Sequence, residues 1–309
     1  MVQSTIFMTG GGHELLAVIR QPGRRRFTAR TIAEAKGSMK MMTLAVQLLF
    51  SVLIFYVLCM VYMYLRQDFL IFYPTAARHE GHGEDGVVDY SLERGGVSLH
   101  GWLVNPAYAR EKLLIYYGGN AEDVFLNIEE YKSVQAASLF VAYRGYGPSG
   151  GKPGEAELFA DALAVMDDIS ARYSPDKVFL IGRSLGSGVA CYVASRRQVQ
   201  GAILVTPFDS IENVAKSLYP WLPVSSFLRH RFASFEYVKD IRCPLLVLYG
   251  GKDQVINPER TKNLIEHIRG EKEVIYLAAA DHGNIDMYPA YWQAILGFID
   301  REGILLERP

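Results

Sequence analysis

The chain has 309 residues, half of them hydrophobic, with a net charge of −1 and three cysteines. That length accommodates one full-sized α/β domain and an extra segment. The charge balance carries no basic footprint for nucleic acid. Cys59, Cys191 and Cys243 lie far apart without C-x-x-C spacing, so neither a zinc site nor a disulfide framework is signalled. Each cysteine reads as a small buried side chain.

Residues 1–40 are polar, Gly-bearing and basic, with the run Arg24-Arg25-Arg26, and are expected to form a disordered tail. Met39-Lys40-Met41-Met42 would also make a natural start before the apolar run that follows. From Met41 to Leu65 no residue is charged, and only Thr43, Gln47 and Ser51 interrupt the run with small polar groups. As a helix those residues would reach about 37 Å, enough for about 30 Å of hydrocarbon. Tyr62, Tyr64 and Arg66 suit an interfacial belt. The rival, a cleaved signal peptide, calls for a shorter apolar region and an A-x-A-like site. A buried core helix has little use for an apolar surface all round. The expectation is a transmembrane anchor over 41–65. Residues 66–86 then form a linker, from Gln67–Thr75 to the Gly- and acid-rich stretch His79–Gly86.

Over 87–303 the pattern alternates strand and helix. Residues 87–93 and 97–104 read as an opening hairpin. KLLIYY (112–117), SLFVAY (138–143), KVFLIG (177–182), GAILVT (201–206), PLLVLYG (244–250) and EVIYLAA (273–279) read as buried strands. Amphipathic segments at 121–136, 155–173, 185–197, 258–268 and 288–299 separate or follow them. Such alternation implies a mainly parallel sheet with helices on both faces.

Gly182-Arg183-Ser184-Leu185-Gly186 is a G-x-S-x-G motif between an apolar strand and a helix. That is the strand–turn–helix context of a nucleophile elbow, and the motif is weak without it. A serine hydroxyl needs a base to take its proton, and the base needs an orienting acid. Seven histidines are available. His13, His79, His82 and His100 precede the serine, His230 lies in an excursion, and His267 lies on an amphipathic helix. His282, in Asp281-His282-Gly283-Asn284, follows the last strand, where ligand chemistry collects in open α/β sheets. Asp253 follows the preceding strand and is the expected acid. Asp281 would have to fold back to reach the ring, and Asp286 is a further rival. For the oxyanion, the backbone N–H groups of Leu185 and Asn120 are the expected donors. The glycine-rich run Tyr143–Pro153 lacks the G-K-[ST] of a phosphate loop and reads as a structural wall. Ser217–Phe227 lies where this architecture inserts its cap, so a short aromatic lid around Trp221 is expected.

These residues resemble a known family. QDFLIFYPT, GGNAED, YRGYGPSGGKPGE, GRSLGSGVA, TPFDSIENVAKSLYPWLPV, GGKDQVINP and DHGN are similar to segments of the membrane-anchored α/β-hydrolase-domain proteins of the bud-emergence type, over roughly residues 67–300. The resemblance implies an α/β-hydrolase fold with a reduced lid, Ser184, Asp253 and His282 as a triad, and Asn120 and Leu185 at the oxyanion. Two departures stand out. Gly118-Gly119 replaces the usual His-Gly, and Ala142 stands where an acid usually precedes YRGYG. Both bear on the rigidity of the oxyanion loop.

The expected function is a serine hydrolase of carboxylic esters or thioesters, some of them lipid-borne, working through an acyl-enzyme without metal or organic cofactor. A membrane-tethered non-catalytic scaffold and a serine peptidase of the same fold are the alternatives. The expected partners are an acyl substrate and the membrane. Seven basic residues from Arg20 to Lys40 precede the apolar run, against Arg66 and Arg78 soon after it, which predicts a cytoplasmic N-terminus and a hydrolase domain on the far side.

Overall fold

The computed structural model describes residues 29–75 and 85–301. Most of the expected basic tail (1–28), the linker residues 76–84 and residues 302–303 lie outside the described residues. Contacts divide the chain between Cys59 and Met60 into two compact units.

Helix α1 runs from Ala29 to Ile71 and is 43 residues long. It is long and apolar enough, by length and composition, to cross a membrane. It corrects the expected boundaries on both sides. Residues 29–40, expected to be tail, are helical: Ala, Glu, Lys and Met there are strong helix formers, and Arg30 pairs with Glu34 one turn on. At the other end Gln67–Ile71, expected to be linker, continues the helix, and Phe72 beyond it is buried.

The region after α1 is built on one eight-stranded sheet among the described residues, in the order β1-β2-β4-β3-β5-β6-β7-β8. The strands are β1 (Val87–Arg94), β2 (Val97–Val104), β3 (Lys112–Tyr117), β4 (Ala137–Val141), β5 (Lys177–Arg183), β6 (Gly201–Val205), β7 (Leu245–Gly250) and β8 (Lys272–Leu277). Pairings β1–β2 and β2–β4 are antiparallel and the rest parallel. The central strands read as unbroken apolar runs because both faces are covered. Leu113, Ile115, Leu180, Leu204 and Val247 enter one core; Leu114, Tyr116, Ile181, Ile203 and Leu246 enter the other.

The helices after α1 are α2 (Ile128–Tyr131), α3 (Glu155–Tyr173), α4 (Leu185–Ala194), α5 (Ile211–Leu218), α6 (Val224–Phe227), α7 (Ser234–Tyr237), α8 (Pro258–His267) and α9 (Pro289–Arg301). Helices α3, α4 and α8 cover the first face, α2 and α9 the second. In α3 the apolar residues Leu158, Ala162, Val165 and Ile169 repeat at helical spacing, with Glu155 and Glu157 in the first turn and Arg172 in the last, each suited to the helix dipole. The amphipathic segment 121–136 yields only a short 3₁₀ turn (Val124–Asn127) and α2. Its early residues are instead held as a loop by Glu122.

The end of α1 is fastened to this body. Gln67 accepts from the Arg229 N–H at 2.7 Å, and Asp68 pairs with Arg229 at 2.9 Å. The Phe72 ring meets the edges of His230 and Phe232 at centroid distances of 5.0 and 6.1 Å. Phe72→Ala should therefore cost about 3–5 kcal/mol of stability, as for a large buried aromatic. Urea unfolding of the detergent-solubilised chain measures it, and a loss below about 1 kcal/mol would mean that this segment is only a tether.

Candidate active site

Ser184 sits between β5 and α4 with φ 50° and ψ −116°, in the sparsely populated left-handed half of backbone space. Its N–H donates to Val205 O at 2.9 Å, which ties the turn to the neighbouring strand. The flanking glycines answer crowding. A Cβ at Gly186 would overlap the Tyr117 carbonyl, and one at Gly182 would overlap the Gly186 carbonyl. The turn lifts the serine to the carboxyl ends of the parallel strands, where the loops after β7 and β8 arrive.

Those loops bring the other two expected residues to it. His282 Nε2 lies 3.0 Å from Ser184 Oγ, and His282 Nδ1 lies 2.7 Å from Asp253 Oδ2. A carboxylate only accepts, so Nδ1 is the donor there and Nε2 is left to accept from the serine hydroxyl. The second oxygen of Asp253 accepts from the N–H groups of Val255 and Ile256 at 2.9 and 2.8 Å. Asp253 and Ser184 are buried, and His282 is partly exposed.

The rivals are occupied elsewhere. Asp281 accepts from the N–H groups of Gly283 and Asn284 and from the Asn284 amide, and so shapes the histidine loop instead of facing the ring. Asp286 pairs with Arg183 at 3.0 Å. His230 lies against Asp68, and His267 against the Asn263 carbonyl. Ser187 donates to the Ser184 carbonyl. Among the described residues no group of three His, Cys, Asp or Glu side chains is arranged to hold a metal ion.

Sequence reasoning missed the residues that hold these loops. Arg183, the variable position inside the motif, reaches across to Asp286 and to the His282 carbonyl at 3.3 Å, bracing the histidine loop from its far side. Glu122, within GGNAED, gathers three donors: the Gly119 N–H, the Tyr116 hydroxyl at 2.7 Å and the Asn127 amide at 2.6 Å. The Tyr143 hydroxyl donates to Gly118 O at 2.9 Å, and burial pushes its pKa up, so it remains a donor. Asn120 Oδ1 accepts from the Tyr146 hydroxyl at 2.9 Å and from the Tyr73 N–H at 2.7 Å. The loop that lacks the family's histidine is thus clamped by Glu122, Tyr143, Tyr146 and Tyr73. Leu185 opens α4, so its N–H has no acceptor within the helix.

Beside Ser184 opens a cavity of about 260 Å³. Leu218, Tyr219, Leu222, Val224 and Phe227 supply the lid wall expected over 217–227. Trp221 itself does not line the cavity and is 55% exposed. Glu122→Gln keeps the shape of the clamp but weakens its charge-assisted bonds. It should lower kcat about tenfold on any substrate turned over at Ser184, with KM little changed; an unchanged kcat would show that the clamp does not position a loop that takes part in turnover.

Comparison with known proteins agrees with this architecture. A family model described as serine aminopeptidase, S33, matches residues 134–236. An uncharacterized membrane protein of Saccharomyces cerevisiae is 30% identical over 220 residues, covering 68% of this chain and 78% of that protein. An uncharacterized protein of Mycobacterium tuberculosis (strain H37Rv) is 27% identical over 238 residues, covering 73% and 84%. Among solved structures, the Pyrococcus furiosus esterase Pf2001 superposes with a TM-score of 0.60 at 19% identity, covering 74% of this chain and 98% of that one. The acetyl xylan esterase from Paenibacillus sp. R4 superposes with a TM-score of 0.57 at 20% identity, covering 72% and 86%. The doubly covered sheet, the strained serine turn and these likenesses lead to one conclusion: the chain belongs to the α/β-hydrolase family.

Proposed function

We propose that this hydrolase uses Ser184 as a nucleophile to cleave carboxylic esters or thioesters through an acyl-enzyme. The observation that carries the reading is the unbroken relay Ser184–His282–Asp253 at hydrogen-bond distances beside an apolar cavity. In the first step His282 Nε2 takes the hydroxyl proton as Oγ attacks the carbonyl carbon. The N–H groups of Leu185 and Asn120 receive the oxyanion. Collapse of the intermediate breaks the acyl–O or acyl–S bond, and His282 returns the proton to the leaving alcohol or thiol. Water, activated by the same imidazole, then releases the acid. Asp253, held by two backbone donors, keeps the ring in the required tautomer.

A serine peptidase is the second reading, prompted by the aminopeptidase family description. The lining favours the ester: it offers no carboxylate to receive a peptide's free α-amino group. A non-catalytic scaffold would have no need of the complete relay. Ser184→Ala should abolish labelling by a fluorophosphonate, His282→Ala should lower turnover of a p-nitrophenyl ester by about 10⁴ or more, and Asp253→Asn somewhat less. Turnover retained in Ser184→Ala excludes the mechanism.

We further propose that α1 anchors the enzyme in a membrane with its N-terminus in the cytoplasm. The uncharged run 41–65 and the surplus of basic residues before it support this, and the similar yeast protein is itself described as a membrane protein. Protease added outside intact cells or spheroplasts should digest the hydrolase region. A region sheltered with the cytoplasm reverses the orientation.

A further inference from the structure

The cavity beside Ser184 has an unexpected wall. Met63, Gln67, Leu70 and Ile71, all from the last turns of α1, line it together with Ile211, Val214 and Ala215 of α5. Met63 also belongs to the uncharged run that ends at Leu65. The helix proposed as anchor therefore contributes directly to the space in front of the nucleophile.

We infer that this α1–α5 cleft is an acyl-chain site, and that the substrate is an ester or thioester whose long acyl chain comes from the bilayer. The inference rests on the proposed serine chemistry and adds the substrate class and the residues that select it. Four observations carry it. No lining residue is charged. The two amide side chains of the lining are already engaged: Gln67 with the Arg229 N–H, the Phe227 carbonyl and the Tyr64 carbonyl, Asn120 with Tyr73 and Tyr146. The lining thus offers an acyl chain dispersion and water exclusion rather than charge.

The rim is apolar as well. Leu70, Leu218 and Val255 line the cavity, yet are 53%, 59% and 58% exposed. An exposed apolar rim around an apolar hole is what a mouth facing lipid requires, and is a liability facing water. Finally, at about 260 Å³ the cavity falls below the roughly 300–1,000 Å³ of sites that enclose a whole drug-sized ligand. It suits one chain, with the rest of the molecule outside. Leu70 on α1 and Ala215 on α5 both line the space such a chain would fill.

The test uses the full chain in phosphatidylcholine vesicles and two probes, an ethyl and a hexadecyl fluorophosphonate. In the labelling step Ser184 Oγ bonds to phosphorus, the P–F bond breaks, fluoride leaves and His282 holds the proton. The readout is the ratio of hexadecyl to ethyl labelling rates, compared with wild type in the same vesicles, so partitioning of the long probe cancels. Each methylene of lost burial is worth about fourfold in rate, so a side chain blocking two of them costs about fifteenfold. Leu70→Trp and Ala215→Phe each narrow the cleft from one wall. Both positions are at least partly exposed, which favours folding, and reaction with the ethyl probe reports an intact site. A ratio lowered more than threefold in each variant that reacts with the ethyl probe supports the inference. A ratio within threefold of wild type in either overturns it while leaving the serine mechanism standing. Wild type that reacts with neither probe overturns both.

Discussion

At Ser184 the chain passes from β5 into α4 through a single residue at φ 50°, and the rest of the site depends on that turn. A non-glycine residue there costs of order 1–3 kcal/mol, so surrounding structure must hold it. Here the Ser184 N–H is tied to β6, and α4 is clamped to the sheet by Val189, Ala190 and Val193, all fully buried. The close approach is possible only because Gly186 presents no Cβ to the Tyr117 carbonyl. The strain places the hydroxyl above the strand ends, where loops from β7 and β8 converge with Asp253 and His282.

The loop after β3 carries Gly118-Gly119 with no imidazole beside it. Around it stand a carboxylate with three donors, Glu122, and two buried phenols, Tyr143 and Tyr146. Polar networks of this kind are worth most when every partner is satisfied, and here the half-buried Glu122 carboxylate is. Tyr73, just past α1, closes the set from outside the sheet.

That last contact changes the meaning of the N-terminal helix. A flexible tether would leave the catalytic body indifferent to it. Instead Gln67, Asp68, Phe72 and Tyr73 lock onto the body, and α1 supplies a wall of the cavity. The side chains that line the cavity thus directly follow, on one helix, a run long and apolar enough to cross a membrane.

Much of this was legible in the chain. Buried parallel strands show as unbroken apolar runs because both faces are covered, so β3, β5, β6 and β7 stood out in the sequence nearly to the residue. The G-x-S-x-G turn, followed in order by Asp253 and His282, pointed to the relay because each residue sits just past a readable strand. Other features carried no local signal. Arg183 and Glu122 look like surface charges until the fold brings Asp286 and the Gly119 N–H to them. The segment 121–136 has helical periodicity, but Glu122 captures its first residues for the loop. Gln67–Tyr73 reads as a linker, since nothing nearby in sequence shows that Arg229 and His230, some 160 positions on, will meet it. Periodicity and turn chemistry are local and survive in a linear sequence. Which distant side chains share a cavity or a hydrogen bond is decided only when the sheet brings its loops to one edge.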